Sequence, residues 1–181
     1  TLPQIQLLTP VQLAALPPTL WQAFSVEQIH MLTPQSLARI GVSPLTMVLK
    51  HLLPHQIQGL DPATLAQLEM RQLATLTPMQ WAALTPNQIA AFSLLQLNAL
   101  TPTQLQGLNP NALTLLSGPQ LAALSPSLIA SFTALQWQSF SPVQLQALQS
   151  NQLASLSVAQ LESLGPRVLL NFSPVQLSTM K

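Results

Sequence analysis

Two pairs of side chains have a spacing at which they could do chemistry. His51 and His55 are four residues apart, the spacing at which one helix presents two imidazoles to a metal ion. Asp61 and Glu69 are eight residues apart and could supply the two carboxylates of general acid–base catalysis. Either site requires that the surrounding elements bring the paired groups together.

Each pair also has a simpler structural interpretation. Pro54 lies between the two histidines and starts a new helix, so we expect His51 and His55 on different helices. Asp61 and Glu69 each stand where a helix begins, and free backbone N–H groups favour a carboxylate there. The chain has no Cys, and its five Gly are scattered, which excludes thiolate metal sites and a phosphate-binding loop. We therefore predict no catalytic, metal or cofactor-binding residues, no cofactor and no enzymatic activity.

An eight-residue repeat determines the elements that carry these residues. Residues 1–40 divide into five octads and residues 53–180 into sixteen, with a 12-residue segment, 41–52, between them. Positions 5 and 8 are large and apolar in all 21 octads, with every Trp at position 5 and every Phe at position 8. Position 1 is Ser, Thr, Asp or Asn in 16 octads, position 2 is Pro in 13, and position 4 is Gln in 15. Such strict columns indicate a packed repeat.

The octad encodes the start of a short helix. Position 1 is an N-cap, Pro at position 2 suits the first helical residue, and Gln at position 4 completes a capping box. Position 8 of the preceding octad and position 5 form the hydrophobic staple across the cap. Pro excludes one continuous helix and makes the preceding residue extended, while an apolar spacing of three and then five excludes strands.

Single octads must stack, because two buried side chains do not offset the backbone entropy of eight ordered residues. We therefore predict an all-α fold, a tightly wound α-solenoid or superhelix of very short capped helices, with residues 1–181 as a single domain. Small residues at positions 6 and 7 favour close helix contacts. In the segment 41–52 the register shifts by four. We expect Ser43-Pro44 to cap a longer helix through Leu52, Gly41-Val42 to close the preceding helix, and a kink or bulge there.

The composition excludes several classes of partner. Five Lys and Arg are too few for nucleic-acid binding or for an anionic membrane surface. Polar residues or Pro interrupt every apolar run, so no membrane insertion is expected. The chain starts without Met or a signal segment, which suggests a processed chain or a piece of a longer one. Uncharged outer positions 3, 6 and 7 favour self-association, unless glycans on Ser and Thr cover them.

The unit Thr-Pro-x-Gln-Leu-Ala-Ala-Leu, as in Thr9-Pro10-Val11-Gln12-Leu13-Ala14-Ala15-Leu16, resembles octapeptide tracts of very large bacterial secreted or surface proteins, which run on as Leu-Thr-x-x-Gln, then Val, Ile or Leu, then Ala-Ala. This resemblance covers essentially the whole chain and implies an extracellular or cell-surface structural role. The starts at Leu76–Gln80 and Leu84–Gln88 are also similar to the DNA-reading repeats of plant-pathogen effectors. The period of those repeats, their base-reading loop and their basic residues are absent here.

The functional hypothesis follows from the surface and from both ends of the repeat. The first and last octads carry ordinary core residues without a polar cap, which favours open head-to-tail contacts between copies. The sequence thus predicts a structural, self-assembling protein, a subunit or segment of an extracellular filament, tube or sheath with end-to-end and lateral packing. The alternative is a spacer or protein-binding solenoid segment of a giant bacterial surface adhesin, which should be monomeric when excised.

Overall fold

The computed structural model describes residue 5 and residues 7–180, which form an all-α solenoid of short helices. This part of the chain contains nineteen α-helices, two 3₁₀ helices and no β-strand. None of the helices described is long and apolar enough to cross a lipid bilayer. The elements are α1 Pro10–Ala14, α2 Pro18–Gln22, α3 Val26–His30, α4 Pro34–Leu37, α5 Val42–Val48, η1 Leu49–His51, α6 Pro54–Gln58, α7 Pro62–Ala66, α8 Met70–Leu73, α9 Pro78–Ala82, α10 Pro86–Ala90, α11 Leu94–Asn98, α12 Pro102–Gly107, η2 Pro110–Leu113, α13 Gly118–Ala122, α14 Pro126–Ile129, α15 Ala134–Ser139, α16 Pro142–Gln146, α17 Ser150–Leu153, α18 Val158–Leu169 and α19 Pro174–Thr179.

The predicted capping chemistry starts the helices. At α9 the cap residue Thr77 is extended, with φ −71° and ψ 161°, and its backbone N–H donates to Gln80 Oε1 at 2.7 Å. In return, the Gln80 backbone N–H donates to Thr77 Oγ1 at 3.3 Å. Within the residues that the structure describes, the capping box is confirmed at each of the helices α1–α19 whose cap is Ser or Thr and whose fourth octad position is Gln. Those caps are Thr9, Ser25, Thr77, Thr85, Ser93, Thr101, Ser117, Thr133, Ser141, Ser157 and Ser173.

The chain divides into two compact units, Thr1–Ala91 and Phe92–Lys181. Within each unit, a helix packs against the helix three octads further along. In the first unit α1 packs on α4, α2 on α5, α6 on α9 and α7 on α10. In the second unit η2 packs on α15, α13 on α16, α14 on α17, α15 on α18 and α17 on α19. This regular pairing is the stacking that the repeat predicts.

The glutamine at position 4 joins neighbouring turns of the solenoid. Gln80 Nε2 donates to the Leu49 carbonyl at 3.0 Å and to the Leu52 carbonyl at 2.7 Å, 31 and 28 residues earlier. Those carbonyls belong to positions 5 and 8 of the octad four places back. One turn therefore contains between three and four octads. The same pair of separations recurs at Gln88, Gln136, Gln144, Gln152 and Gln176.

Positions 5 and 8 form the core, as predicted. Trp21, Trp81 and Trp137 are each about 1% exposed. In the second unit the Trp137 ring meets Phe132 and Phe140 edge to face, with centroids 5.7 and 5.9 Å away. Such aromatic pairs stabilise a core beyond the area they bury. The tryptophans thus fill the interior and are not exposed surfaces for stacking ligands.

The prediction for the segment 41–52 is wrong in its caps and helix length. Gly41, extended at φ −75° and ψ 166°, is itself the N-cap of α5, and Ser43-Pro44 lies inside that helix. A separate 3₁₀ helix, η1, follows, so no single helix continues through Leu52. The segment consists of two overlapping octads, 41–48 and 45–52, and their four core residues are all at most 3% exposed: Leu45, Val48, Leu49 and Leu52.

This overlap shortens one turn by four residues. Gln56 Nε2 reaches the Ile29 carbonyl at 2.8 Å and the Leu32 carbonyl at 2.7 Å, only 27 and 24 residues earlier. In the same turn Gly59 approaches Pro34 so closely that an added Cβ would lie 2.4 Å from Pro34 Cβ and 2.6 Å from its carbonyl oxygen. The missing side chain of Gly59 is therefore a packing requirement of the shortened turn.

Gly59→Ala should destabilise the protein by about 1–3 kcal/mol, because the new methyl group overlaps backbone atoms that cannot move independently. Gly107→Ala is the matched control, since Gly107 is also at position 7 and an added Cβ there meets no atom within 4 Å. The free energies of unfolding from urea titrations should fall for the first variant and stay level or rise for the second. Equal values would contradict the close contact with Pro34.

Gln88→Glu should lower the free energy of unfolding by about 1–3 kcal/mol, because a carboxylate has no hydrogen to donate to the Ile57 and Leu60 carbonyls. Gln104→Glu is the matched control. The hydrogen bonds described for Gln104 are those of the capping box with Thr101, and glutamate forms that box equally well. Thermal and urea unfolding should separate the two variants; a similar loss in both would show that Nε2 contributes little.

Candidate functional site

The described histidines do not form a metal-binding cluster with other His, Asp or Glu side chains. His51 ends η1 and His55 lies in α6, so the pair is on different helices, as expected. His30 Nε2 is 3.0 Å from the His51 backbone carbonyl oxygen, a contact that joins α3 to η1 within the first unit. Among the residues described, no three His, Cys, Asp or Glu side chains are close enough to hold a metal ion.

The carboxylates are engaged by their own neighbours in sequence. Asp61 caps α7 and accepts hydrogen bonds from the Thr64 backbone N–H and from the Thr64 hydroxyl, each at 2.9 Å. Glu69 forms an exposed ion pair with Arg71 at 2.8 Å. In this arrangement Asp61 serves the helix start, and neither carboxylate shows the buried, paired geometry that acid–base catalysis needs.

A third carboxylate, that of Glu27, has a pKa that its surroundings lower. A hydrogen bond with the Ser25 hydroxyl lowers the pKa of Glu27, and the nearby His30 acts in the same direction. The side chain is exposed at the first turn of α3, where a negative charge is favoured. Glu27 is thus a surface residue that supports the helix start.

The exposed apolar side chains are concentrated at position 3 of the octad. We call this set the position-3 column; Leu95 and Val143 are each 75% exposed, and Met79 is 74% exposed. Position 3 is the third residue of each octad and points away from positions 5 and 8, which are buried. The position-3 column comprises Val11, Met79, Leu95, Leu135, Val143 and Val175.

The first octads leave one core column partly uncovered. Their position-5 residues Leu13 and Trp21 are buried, but the position-8 residues Leu8, Leu16 and Phe24 are only half-buried. From Leu32 onward every position-8 residue through Phe172 is buried. We call the set Leu8, Leu16 and Phe24 the N-terminal face. It corresponds to the three octads that have no earlier turn of described chain beneath them.

The last octads leave the other core column uncovered. At position 8, Leu164 and Phe172 are buried and the final residue of the column, Met180, is half-buried. At position 5, Leu161 and Leu169 are half-buried and Leu177 is 43% exposed. These leucines line an apolar cavity of about 480 Å³, which we call the terminal groove. The terminal groove also contains one carboxylate, and its lining residues are Leu161, Glu162, Gly165, Pro166, Leu169, Leu170, Phe172 and Leu177.

A glycine shapes the wall of the terminal groove. Gly165 stands at the cap position of its octad, where the other caps have φ near −70°, but it adopts φ 71° and ψ 163°. A positive φ is accessible to glycine and strained for other residues. As a result α18 kinks at Gly165. Leu170, at the generally exposed position 6 of the same octad, is 84% exposed and lines the groove.

Sequence reasoning identified the core columns but missed that the two ends uncover different columns. The pattern repeats identically along the chain, so it contains no local signal for this difference. The difference depends on which neighbour covers each column, and that neighbour is three octads away. The exposed apolar side chains are thus the candidate functional site: the position-3 residues in each of the two units, and the incompletely covered core residues of the first and last octads.

Comparison with models of known protein families and with curated protein sequences finds no match for this chain. The resemblance of the octad to tracts of bacterial surface proteins therefore stays a prediction.

Asp61→Ala should lower the free energy of unfolding by about 1 kcal/mol, because Ala cannot accept the Thr64 backbone N–H. Asp61→Asn should leave stability nearly unchanged, since Asn is an equally good N-cap and carries no charge. Urea titrations of both variants would test whether this carboxylate is structural. If Asn costs as much as Ala, the charge itself has a role that capping does not explain.

Proposed function

We propose that this chain is a structural protein that associates with copies of itself, as a subunit or segment of an extracellular filament, tube or sheath. The observation that supports the proposal most directly is the position-3 column, a set of large apolar side chains 63–75% exposed on a chain with nine charged residues. Apolar surface of this kind, with little net charge to keep copies apart, favours association.

The polar side chains add support, because they serve the fold. The Ser and Thr caps and the position-4 glutamines are used in helix starts and in contacts between turns. The described carboxylates and histidines form no pocket with convergent polar groups. An extracellular or surface location rests on the resemblance of the octad, and glycans on Ser or Thr are compatible with it.

Val11→Asp, Leu95→Asp and Val143→Asp together should abolish lateral association and leave the fold intact. The three side chains are 63–75% exposed, so substitution removes little packing and adds charge repulsion between copies. Mass photometry and negative-stain electron microscopy near neutral pH would follow assembly of the purified chain, and circular dichroism would follow helix content.

The matched control carries the same three charges at position-3 sites that are already polar. Asn87→Asp, Asn111→Asp and Asn151→Asp are exposed and lie outside the apolar column, so this variant should assemble like the parent chain. If both triple variants assemble normally, lateral packing through position 3 is wrong. If the parent chain is a discrete monomer at every concentration, the spacer or binding segment of a larger surface protein becomes the better proposal.

A further inference from the structure

We propose that one side of the second unit forms a two-fold lateral contact with the same side of a second copy. The contact residues are Leu95, Pro119 and Val143, which we call the lateral stripe. The inference rests on the proposed self-assembly, and it specifies which position-3 residues meet and in which orientation. The two copies lie antiparallel, with Pro119 of each at the two-fold axis.

The three residues of the lateral stripe lie in three successive turns of the second unit. Each is the third residue of its octad, and each octad comes three octads after the one before it. The first two turns are joined by a hydrogen bond from Asn98 Nδ2 to the Ala123 carbonyl at 2.9 Å. The second and third are joined by the packing of α13 on α16. Octads three apart therefore share one side of the unit, and the stripe runs along that side.

Among the described residues of the second unit, this is the side on which position 3 is exposed and apolar in three successive turns. Polar residues interrupt position 3 on the other two sides. Asn111 precedes Leu135 on one of them, and Ser127 and Asn151 precede Val175 on the other. Exposed apolar residues there are single, whereas the lateral stripe is continuous.

The absence of charge on the stripe favours a second copy as its partner. The three octads 93–100, 117–124 and 141–148 contain no Lys, Arg, Asp or Glu, and the exposed Arg167 at position 3 of the next turn ends the apolar run. A charged partner surface would lose hydration against the stripe and find no opposite charge there. The same stripe on a second copy is equally uncharged, so the contact buries no ionised group.

The lateral stripe is also its own match under a two-fold rotation. Its outer members, Leu95 and Val143, are branched aliphatic side chains, each 75% exposed, and they lie one turn to either side of Pro119. A two-fold contact pairs one residue with a second and the second with the first. With the axis at Pro119, Leu95 of each copy packs on Val143 of the other, so both projecting side chains gain an apolar partner.

The size of the stripe predicts a weak contact for a single pair of copies. Three side chains and their neighbour Leu94, which is 46% exposed, present on the order of a few hundred Å² of apolar surface. A stable pair of proteins buries about 800 Å² on each partner. We therefore expect a dimer that is populated at high protein concentration. Weak lateral contacts suit a filament or sheath, in which each copy has several neighbours at once.

Leu95→Asp with Val143→Asp should raise the dissociation constant of this dimer by at least about tenfold, because each carboxylate would lie against an apolar side chain of the other copy. Met79→Asp with Leu135→Asp is the matched control. It adds the same charges at position-3 sites that are 74% and 66% exposed outside the stripe, and it should leave the dissociation constant unchanged. Sedimentation equilibrium of the full chain across a concentration series measures the constant, and circular dichroism checks that both variants fold.

Single cysteines test the two-fold axis, because the chain contains no Cys. Pro119→Cys should form a disulfide-linked dimer by itself, since the axis brings the two copies of that position together. Leu95→Cys should form one only when mixed with Val143→Cys. Two copies of position 95 would lie two turns apart, about 16–20 Å at ordinary helix spacing, and a disulfide spans about 7 Å at most. Asn111→Cys, exposed on another side, is the control that should remain monomeric.

The outcomes separate this inference from the proposed function. Loss of the dimer in the Leu95 and Val143 double variant, a normal dimer in its control and self-pairing of Pro119→Cys support the contact. If the parent chain associates and the double variant associates equally well, self-assembly stands and the stripe contact is wrong. Self-pairing of Leu95→Cys as efficient as its pairing with Val143→Cys would overturn the two-fold orientation. A parent chain that stays monomeric at every concentration overturns both proposals.

Discussion

The structure depends on the side-chain amide of the position-4 glutamine, which uses both its oxygen and its nitrogen in hydrogen bonds. In Gln80, Oε1 accepts from the Thr77 backbone N–H at the helix start, and Nε2 donates to the carbonyls of Leu49 and Leu52 one turn earlier. A buried amide is tolerated only when its donors and acceptor are satisfied, and here the same group satisfies a helix start and a helix end. Ser or Thr can cap a helix alone, and a leucine can fill the core alone. The glutamine is the group that repeatedly connects the start of one octad to the turn beneath it.

Because each contact is local to neighbouring turns, the fold absorbs irregularities without losing its core. The overlapping octads 41–48 and 45–52 remove four residues, yet Leu45, Val48, Leu49 and Leu52 remain buried. The adjustment appears instead in the contact of Gly59 with Pro34, where a side chain no longer fits. At Gly165 a positive φ kinks α18 while Leu164 and Val168 stay buried. Repeat proteins accommodate such changes because each unit packs mainly on its nearest neighbours in the stack.

The composition leaves the surface of the protein with few charged side chains. The Ser and Thr caps and the position-4 glutamines are used in helix starts and turn-to-turn contacts, whereas other polar side chains, such as Gln35 and Gln106, are exposed, as is the described ion pair Glu69–Arg71. The apolar side chains that are exposed or half-buried include those of the position-3 column, the N-terminal face and the terminal groove. A contact between copies through the position-3 column would use apolar packing of the kind that already stabilises the solenoid.

The sequence by itself determined the helix starts, the two core columns and the all-α solenoid, because each depends on residues within eight positions of one another. It also placed His51 and His55 on separate helices through Pro54, and Gln80 in a capping box. The tertiary structure decided how many octads make a turn, since the Nε2 contact of Gln80 joins residues 28 and 31 apart. It likewise decided that Gly41 caps α5 and that different columns are uncovered at the two ends. Those features depend on what packs three or four octads away, and an octad pattern that repeats identically cannot specify that neighbour.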